Sequence, residues 1–276
     1  IIGAGYIACE FACILQGLGV EVTQLVRGER ILRGFDLELS SALTEAMKSK
    51  GINLRFNEHV SSIKGSPGAL ILKTSTDKEL ESNGLLFATG REPYLEGLKL
   101  DQAGVEIIAN KIKVDNESKT NIPNIFAIGD VTNRINLTPV AIDEGRSFAD
   151  RNYGESTRRV NYDLVPYAVF SQPEIASVGM TEEKARELIG NNNIKVYRSM
   201  FRPLSKSIPK KGAKCILKLI VDKTNNKVLG CHMMGENASE IIQMASIPLM
   251  LGAKKSDFDN TMALHPTIAE EFVTMR

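Results

Sequence analysis

Apolar positions change period along the first fifty residues. Tyr6 to Leu18 carries Ile7, Phe11, Ile14, Leu15 and Leu18 at helical spacing, and Gly19 supplies the stop. Val20 to Val26 predicts a strand. After Asp36 a second helical pattern through Leu39, Leu43, Ala46 and Met47 ends at Gly51, and Ile52 to Phe56 predicts the next strand. Val60 to Ile63, Ala69 to Thr74 and Glu79 to Glu81 predict short antiparallel strands between Gly and Pro turns. Leu85 to Ala88 predicts a buried strand that runs into the loop Thr89-Gly90-Arg91-Glu92-Pro93, and Thr120 to Asp130 predicts an apolar strand ending in Gly129-Asp130. Thr138 then caps a helix that has Pro139 in its first turn. From about Tyr162 the pattern becomes hairpins, Cys215 to Asp222 and Lys227 to Met234, alternating with helical Glu182 to Ile189 and Ser239 to Leu251, an α+β arrangement.

Composition narrows the classes. At 276 residues, 43% hydrophobic and 24% charged, the chain is neither disordered, collagen-like nor coiled coil. Its 34 basic and 33 acidic residues leave a net charge of +1, so no bulk field holds nucleic acid or an anionic membrane, and anions must be recognised locally. Four cysteines form neither CxxC nor a Cys/His zinc spacing, which predicts no metal site and reduced thiols, as in the cytoplasm. No run approaches the roughly 18 apolar residues that span a bilayer. Only Ile1 and Ile2 precede a glycine motif that ordinarily follows a whole strand, so the chain reads as N-terminally truncated, and a plastid address stays open.

That motif, Gly3-Ala4-Gly5-Tyr6-Ile7-Ala8, fits GxGxxG/A. Gly3 permits the tight turn, Gly5 lets a pyrophosphate approach the backbone, and Ala8 lets helix and strand pack closely. Where an acid would grip the ribose of NAD, the chain has Val26, followed by Arg27 and Arg33. Two guanidiniums at a strand end suit a 2′-phosphate, so NADPH is expected over NADH; a solvated arginine pair, partly offset by Glu29, is the alternative. Cys9 and Cys13 share a helix face, where core packing is expected over a redox dithiol. Asp130 ahead of a helix N-terminus suits a ribityl hydroxyl, or is an ordinary strand-turn-helix. His265 stands before Pro266 and five residues from Glu270, which predicts an acid/base held by a carboxylate behind a proline-opened helix, with a structural His-Pro turn as the alternative. His59 and His232 read as structural.

In order, GAGYIA, ATGREP, NIFAIGDV, LTPVA and HPTxxEE make the whole chain resemble the pyridine nucleotide-disulfide oxidoreductases, flavoproteins that pass electrons from NAD(P)H through FAD to a cysteine pair. The resemblance implies an α/β fold: a Rossmann-type NADPH-binding domain over 1–93, the second half of an FAD-binding domain over 94–160, and an α+β dimerisation domain over 161–276. FAD and NADPH are the implied cofactors. Val26-Arg27 with Arg33, the stretch ending Leu-Arg-Gly-Phe-Asp at Asp36, and the terminal Glu-Glu-Phe-Val-Thr-Met-Arg resemble the plant and cyanobacterial members that reduce glutathione disulfide.

By that resemblance Tyr6 is the aromatic lid at the nicotinamide pocket and Glu10 the carboxylate that pairs with a flavin-side lysine. Gly3, Gly5, Ala8, Gly90 and Arg91 belong to the nucleotide site, and Asp130 and Thr138 to the FAD site. Arg146 matches a glutathione-carboxylate contact. His265, held by Glu270, is the acid/base for the partner subunit's cysteine pair, so a homodimer is implied. The family's first FAD motif and its CxxxxC pair do not occur in this chain. The competing readings are a dihydrolipoamide dehydrogenase, which Val26 disfavours, and a non-catalytic NADPH-binding and dimerisation module.

Overall fold

Ile1 and Ile2 enter a parallel ladder before the chain turns at Gly3. The Ile2 amide donates to Leu86 O at 2.8 Å, Ala88 donates back to Ile2 O at 2.8 Å, and Leu25 donates to Ile1 O at 2.9 Å. In this computed structural model, which describes residues 1–207 and 214–276, the chain forms two units: Ile1–Thr89 with Pro166–Arg276, and Gly90–Val165.

The first unit opens with α1 (Tyr6–Gly17), β1 (Thr23–Val26), α2 (Leu37–Ser49) and β2 (Asn53–Phe56), with β1 and β2 parallel. α1 exists as its period predicts, but its buried face differs. Ala8, Cys9, Ala12 and Cys13 are buried, whereas Phe11, Ile14 and Leu18 are exposed. A helix lying close on a sheet needs small side chains in the contact, so the larger ones project outward. α2 behaves as its pattern predicts: Asp36 caps it by accepting from Glu38 N–H at 3.1 Å, and Leu39, Leu43 and Met47 are buried. β3 (Val60–Ser66), β4 (Ala69–Thr74) and β5 (Glu79–Ser82) form the expected antiparallel meander. Leu85 to Ala88 is not a buried strand. With two residues available to pair, it makes one bridge from Ile2 to Phe87, whose ring is exposed.

In the second unit, β6 (Ile107–Ile108) and β7 (Lys111–Ile112) make a two-residue hairpin, and α3 spans Thr138–Tyr153. Val105, Ile112 and Ala127 form its core. The strand expected up to Asp130 is reduced to a Lys119–Phe126 bridge, after which Gly129–Thr132 winds into a 3₁₀ turn. The apolar run packs by its side chains and lacks a neighbouring strand long enough for a ladder.

The first unit resumes with β8 (Tyr167–Val169), β9 (Ile175–Gly179), α4 (Glu182–Ile189), β10 (Ile194–Phe201) and α5 (Leu204–Ser207). β11 (Cys215–Asp222), β12 (Val228–Met234), α6 (Ala238–Met250), α7 (Lys255–Asn260) and α8 (Glu271–Thr274) complete it. The sheet order is β10-β11-β12-β9-β8, antiparallel throughout. One apolar cluster runs from α1, β1 and α2 into Val169, Ile175, Ile216 and Met234, so the two stretches of this unit share a core.

Candidate functional site

The glycine turn is built mainly from backbone, with one side-chain bond from buried Gln24 Nε2 to Gly3 O at 3.0 Å. Gly3 has φ +145°, and a Cβ there would collide with Ala88 O, so only glycine fits. Ala8 is fully buried under the turn. Gly5 sits at the N-cap of α1 with open space where a Cβ would stand, no side-chain cap and no acid in the first turn. Free amides and the helix dipole therefore face an open approach, the chemistry that an anionic phosphate fits. Tyr6 is half-buried against the apolar cluster. Glu10 accepts from the Phe170 N–H at 2.9 Å and so holds the start of the β8–β9 connection. Cys9 and Cys13 are both buried, and burial pushes the Cys9 thiol up to about 12, which makes it inert rather than redox-active.

The loop between β1 and α2 carries Arg27 and Arg33. Both are exposed, and neither has an ion pair or side-chain hydrogen bond among the described residues. The Arg33 guanidinium folds back over Gly28, with Nη2 3.3 Å from where a Gly28 Cβ would lie. The Leu32 amide donates to Ala4 O at 2.7 Å and ties this loop to the glycine turn. Two unsatisfied guanidiniums beside an uncapped helix N-terminus, with Val26 in place of an acid, fit a dinucleotide bearing a 2′-phosphate.

In the second unit Gly129 has φ +70° and lies against Ala141, and Asp130 presents an exposed carboxylate without a partner among the described residues. A residue not anticipated from sequence holds this turn. Buried Glu144 accepts from the Gly129 N–H at 2.6 Å and from the Tyr162 O–H at 2.6 Å, while Arg134 Nη1 donates to the Tyr162 oxygen at 2.9 Å. Burial first, and then the Glu144 carboxylate, push the Tyr162 hydroxyl above its ordinary value, which keeps it a donor. Thr138 is the first helical residue of α3 and not its cap; Leu137 occupies the cap position and offers no side-chain oxygen. At that N-terminus only the Thr138 amide stays open among the described residues, since Pro139 has none and the Val140 and Ala141 amides donate to Leu137 O at 3.0 and 3.1 Å; this amide and the Asp130 carboxylate are what the turn offers a flavin nucleotide. Arg146 on α3 is exposed, as are Gly90, at φ +139°, and Arg91; neither guanidinium has a partner among the described residues.

His265 and Glu270 do meet. The imidazole Nδ1 lies 3.1 Å from both carboxylate oxygens, and the His265 side chain is 81% exposed, so its Nε2 is open to solvent. The helix expected to open at Pro266 does not form. Residues 265–270 are bends and turns, and α8 begins at Glu271, with Glu270 just ahead of it. His232 is fully buried, with Nδ1 2.9 Å from Ser177 Oγ and Nε2 2.8 Å from Met180 O. A neutral ring that donates from Nε2 and accepts at Nδ1 satisfies both contacts. Burial holds its pKa below the ordinary histidine value. His59 is exposed.

An α/β unit with a glycine turn opening a helix, fused through one core to an antiparallel sheet that carries an exposed His–Glu pair, is the architecture of a nucleotide-dependent oxidoreductase class. The description "Pyridine nucleotide-disulphide oxidoreductase" matches residues 1–145, and its dimerisation domain matches 165–276. The chain belongs to the pyridine nucleotide-disulphide oxidoreductase family. Over its whole length it is similar to proteins named glutathione reductase: 44% identical in Nostoc sp. and 46% in Burkholderia cepacia. It is also 44% identical to "Glutathione reductase, chloroplastic/mitochondrial" of Pisum sativum. The chain spans 63%, 61% and 50% of these relatives. Among solved structures, the HOCl-induced flavoprotein disulfide reductase RclA from Escherichia coli matches 99% of this chain and 63% of its own, with a TM-score of 0.90 at 28% identity. Among the described residues no helix is long and apolar enough to cross a membrane.

Proposed function

We propose that this chain is the NADPH-binding, flavin-completing and dimer-forming part of a disulfide reductase that uses NADPH to reduce glutathione disulfide. The carrying observation is the His265–Glu270 pair: a carboxylate within 3.1 Å of Nδ1 leaves Nε2 free for an exposed acid/base role. The names of the relatives support the substrate. Residues 1–93 bind NADPH, 94–160 contribute to the FAD site and 161–276 pair two copies. Gly3, Gly5 and Ala8 admit the pyrophosphate, Arg27 and Arg33 hold the 2′-phosphate, and Tyr6 covers the nicotinamide side. Glu10 orients the flavin side of that pocket, and Gly90 and Arg91 flank the nucleotide. Asp130 and Thr138 hydrogen-bond the flavin nucleotide, and Arg146 takes a glutathione carboxylate. Bound FAD supplies the relay of two electrons from NADPH to a dithiol. His265 then donates its Nε2 proton to the glutathione thiolate that leaves the mixed disulfide, while Glu270 holds Nδ1–H. Exposed Met244, Ile247 and Met250 of α6, with Leu251, Met262 and Leu264, supply the apolar face for a second copy. The working compartment is the cytoplasm or a plastid.

General acid catalysis contributes about 10²- to 10⁴-fold. In the intact enzyme His265→Gln therefore slows reduction of glutathione disulfide by about that factor in stopped flow, with flavin reduction by NADPH unchanged, and Glu270→Gln has a smaller effect on the same half-reaction. Normal oxidation of the reduced His265→Gln enzyme by glutathione disulfide removes His265 from the mechanism. Faster turnover with NADH and a lipoamide disulfide than with NADPH and glutathione disulfide overturns the substrate.

A further inference from the structure

Among the described residues Arg27 and Arg33 have no side-chain partners, so the positions of the two guanidiniums depend on what holds the loop's backbone. One end is the ladder: Val26 closes β1, and the Asn57 amide donates to Gly28 O at 3.0 Å. The middle is anchored by buried Ile31 and Leu32, with Ser40 Oγ donating to Ile31 O at 2.7 Å. The far end is Asp36, and its support comes from the segment that matches the dimerisation domain.

Asp36 is fully buried. One carboxylate oxygen caps α2 and receives Lys218 Nζ at 3.0 Å, and the other accepts from the Glu182 N–H at 3.3 Å. Lys218, on β11, is 1% exposed and also touches Glu38 at 3.1 Å and Glu182 at 2.8 Å. Arg198 meets Glu38 at 3.3 Å and Arg186 meets Glu182 at 2.7 Å, so three cations balance three carboxylates. Just before Asp36 the Phe35 ring meets Tyr167 of β8 edge-on at 4.8 Å, and just after it the Leu37 amide donates to Glu183 at 3.1 Å. A lysine in the middle of an otherwise apolar buried strand is expensive to bury, and here it points at the end of the arginine loop.

We propose that Lys218 is a positioning residue for cofactor choice: by fixing Asp36 it fixes the end of the β1–α2 loop, and with it the spacing of Arg27 and Arg33 across a 2′-phosphate. This rests on the NADPH reading of those arginines. Its consequence is that residues of the dimerisation segment help set which nicotinamide dinucleotide is bound, at a distance from any contact with it.

The test is calorimetric titration of this chain with NADP⁺ and NAD⁺, in the wild type and in Lys218→Met, Asp36→Asn, Lys255→Met and the double variant Arg27→Gln/Arg33→Gln. Asp36→Asn keeps an N-cap acceptor while weakening the lysine contact, so it serves where Lys218→Met does not fold. Lys255 is an equally buried lysine, bonded to Asp259 and Met275 O and, among the described residues, not to the loop, and it controls for general loss of packing. The expected result is a fall of about tenfold in the NADP⁺ to NAD⁺ affinity ratio in Lys218→Met and Asp36→Asn, the worth of roughly one charge-assisted hydrogen bond, with NAD⁺ affinity and the Lys255→Met ratio unchanged. An unchanged ratio in both variants, with the arginine double variant still abolishing the preference, overturns the proposal and leaves the NADPH reading standing. Equal losses for both nucleotides, as from a merely structural role, overturn it as well. No preference in the wild type, or none lost in the arginine variant, removes the NADPH reading and this proposal with it.

Discussion

Two glycine-opened turns lead into helices in this molecule, and they are held in opposite ways. The turn at Gly3 sits in a parallel ladder, its geometry comes mainly from main-chain bonds to Leu86, Leu25 and Leu32 with one side-chain bond from buried Gln24 to Gly3 O at 3.0 Å, and it presents unpaired cations nearby among the described residues. The turn at Gly129 has almost no ladder. It is held by side chains, the buried Glu144 carboxylate on the Gly129 N–H and the Thr132 hydroxyl on the Gly129 O at 2.8 Å, and it presents an anion, Asp130, unpaired among the described residues. The difference matches the ligands each can take: a cationic, amide-lined turn suits phosphate, and an anionic one suits hydroxyl donors such as those of a ribityl chain. It also means that side-chain changes should disturb the second turn more than the first.

Removing the lock tests that asymmetry with the largest effect. Glu144→Ala leaves the Gly129 amide and the Tyr162 hydroxyl without their acceptor, and each buried unsatisfied group costs about 1–3 kcal/mol. Denaturant unfolding should show a loss of about that size or twice it, confined to residues 90–165 in hydrogen exchange. Unchanged exchange at Gly129 contradicts the lock.

A pH titration gives a smaller, graded effect that separates the two units. All three histidines, His59, His232 and His265, lie in the first unit. Buried His232 has a pKa below the ordinary 6.5, chiefly through desolvation; Asp36 and Glu183 pull it up, and Lys218 pushes it down. The unfolded chain therefore binds its proton first, and stability of the first unit falls as pH drops below 6.5, by up to about 1.4 kcal/mol per pH unit. Burial opposes the Asp36 charge, but His232, Lys218 and the Glu182 amide together outweigh it and leave Asp36 with the depressed pKa of a paired acid. Its contribution is present above the ordinary 3.8 and is lost as pH falls further. His232→Asn should flatten the step near 6.5 in the first unit and leave residues 90–165 unaffected. The smallest expectation is a null: Glu45→Gln breaks an exposed pair with Lys48 on α2, behind the arginine loop, and should leave the melting temperature unchanged.

The repeating elements were legible in the sequence because their periods are strong. α2, α4, β4 and β11 fall where their apolar positions predict them. The buried face of α1 was not legible, since close packing on a sheet selects Ala and Cys over the larger residues that dominate a periodicity reading. The strands expected over Leu85 to Ala88 and Thr120 to Asp130 do not form for a different reason: an apolar run alone makes no strand without a partner strand to pair with. Spacing did bring out the His265–Glu270 pair, though the helix assigned behind Pro266 is four residues long and begins later. Glu144 and Lys218 were missed, and each had a signal: a carboxylate four residues beyond Val140 on the inner face of α3, and a lone lysine within Cys-Ile-Leu-Lys-Leu-Ile-Val.

The claim that Arg27 and Arg33, beside the first turn, are placed for a 2′-phosphate can be read on the phosphate itself. A phosphomonoester dianion ordinarily takes up a proton and becomes the monoanion at about pH 6. Phosphorus NMR of NADP⁺ bound to this chain should show the 2′-phosphate still dianionic well below that pH, because two guanidiniums favour the doubly charged form, and the Arg27→Gln/Arg33→Gln variant should lose that depression. A bound 2′-phosphate that titrates near 6 in the wild type, unchanged by the variant, contradicts the account.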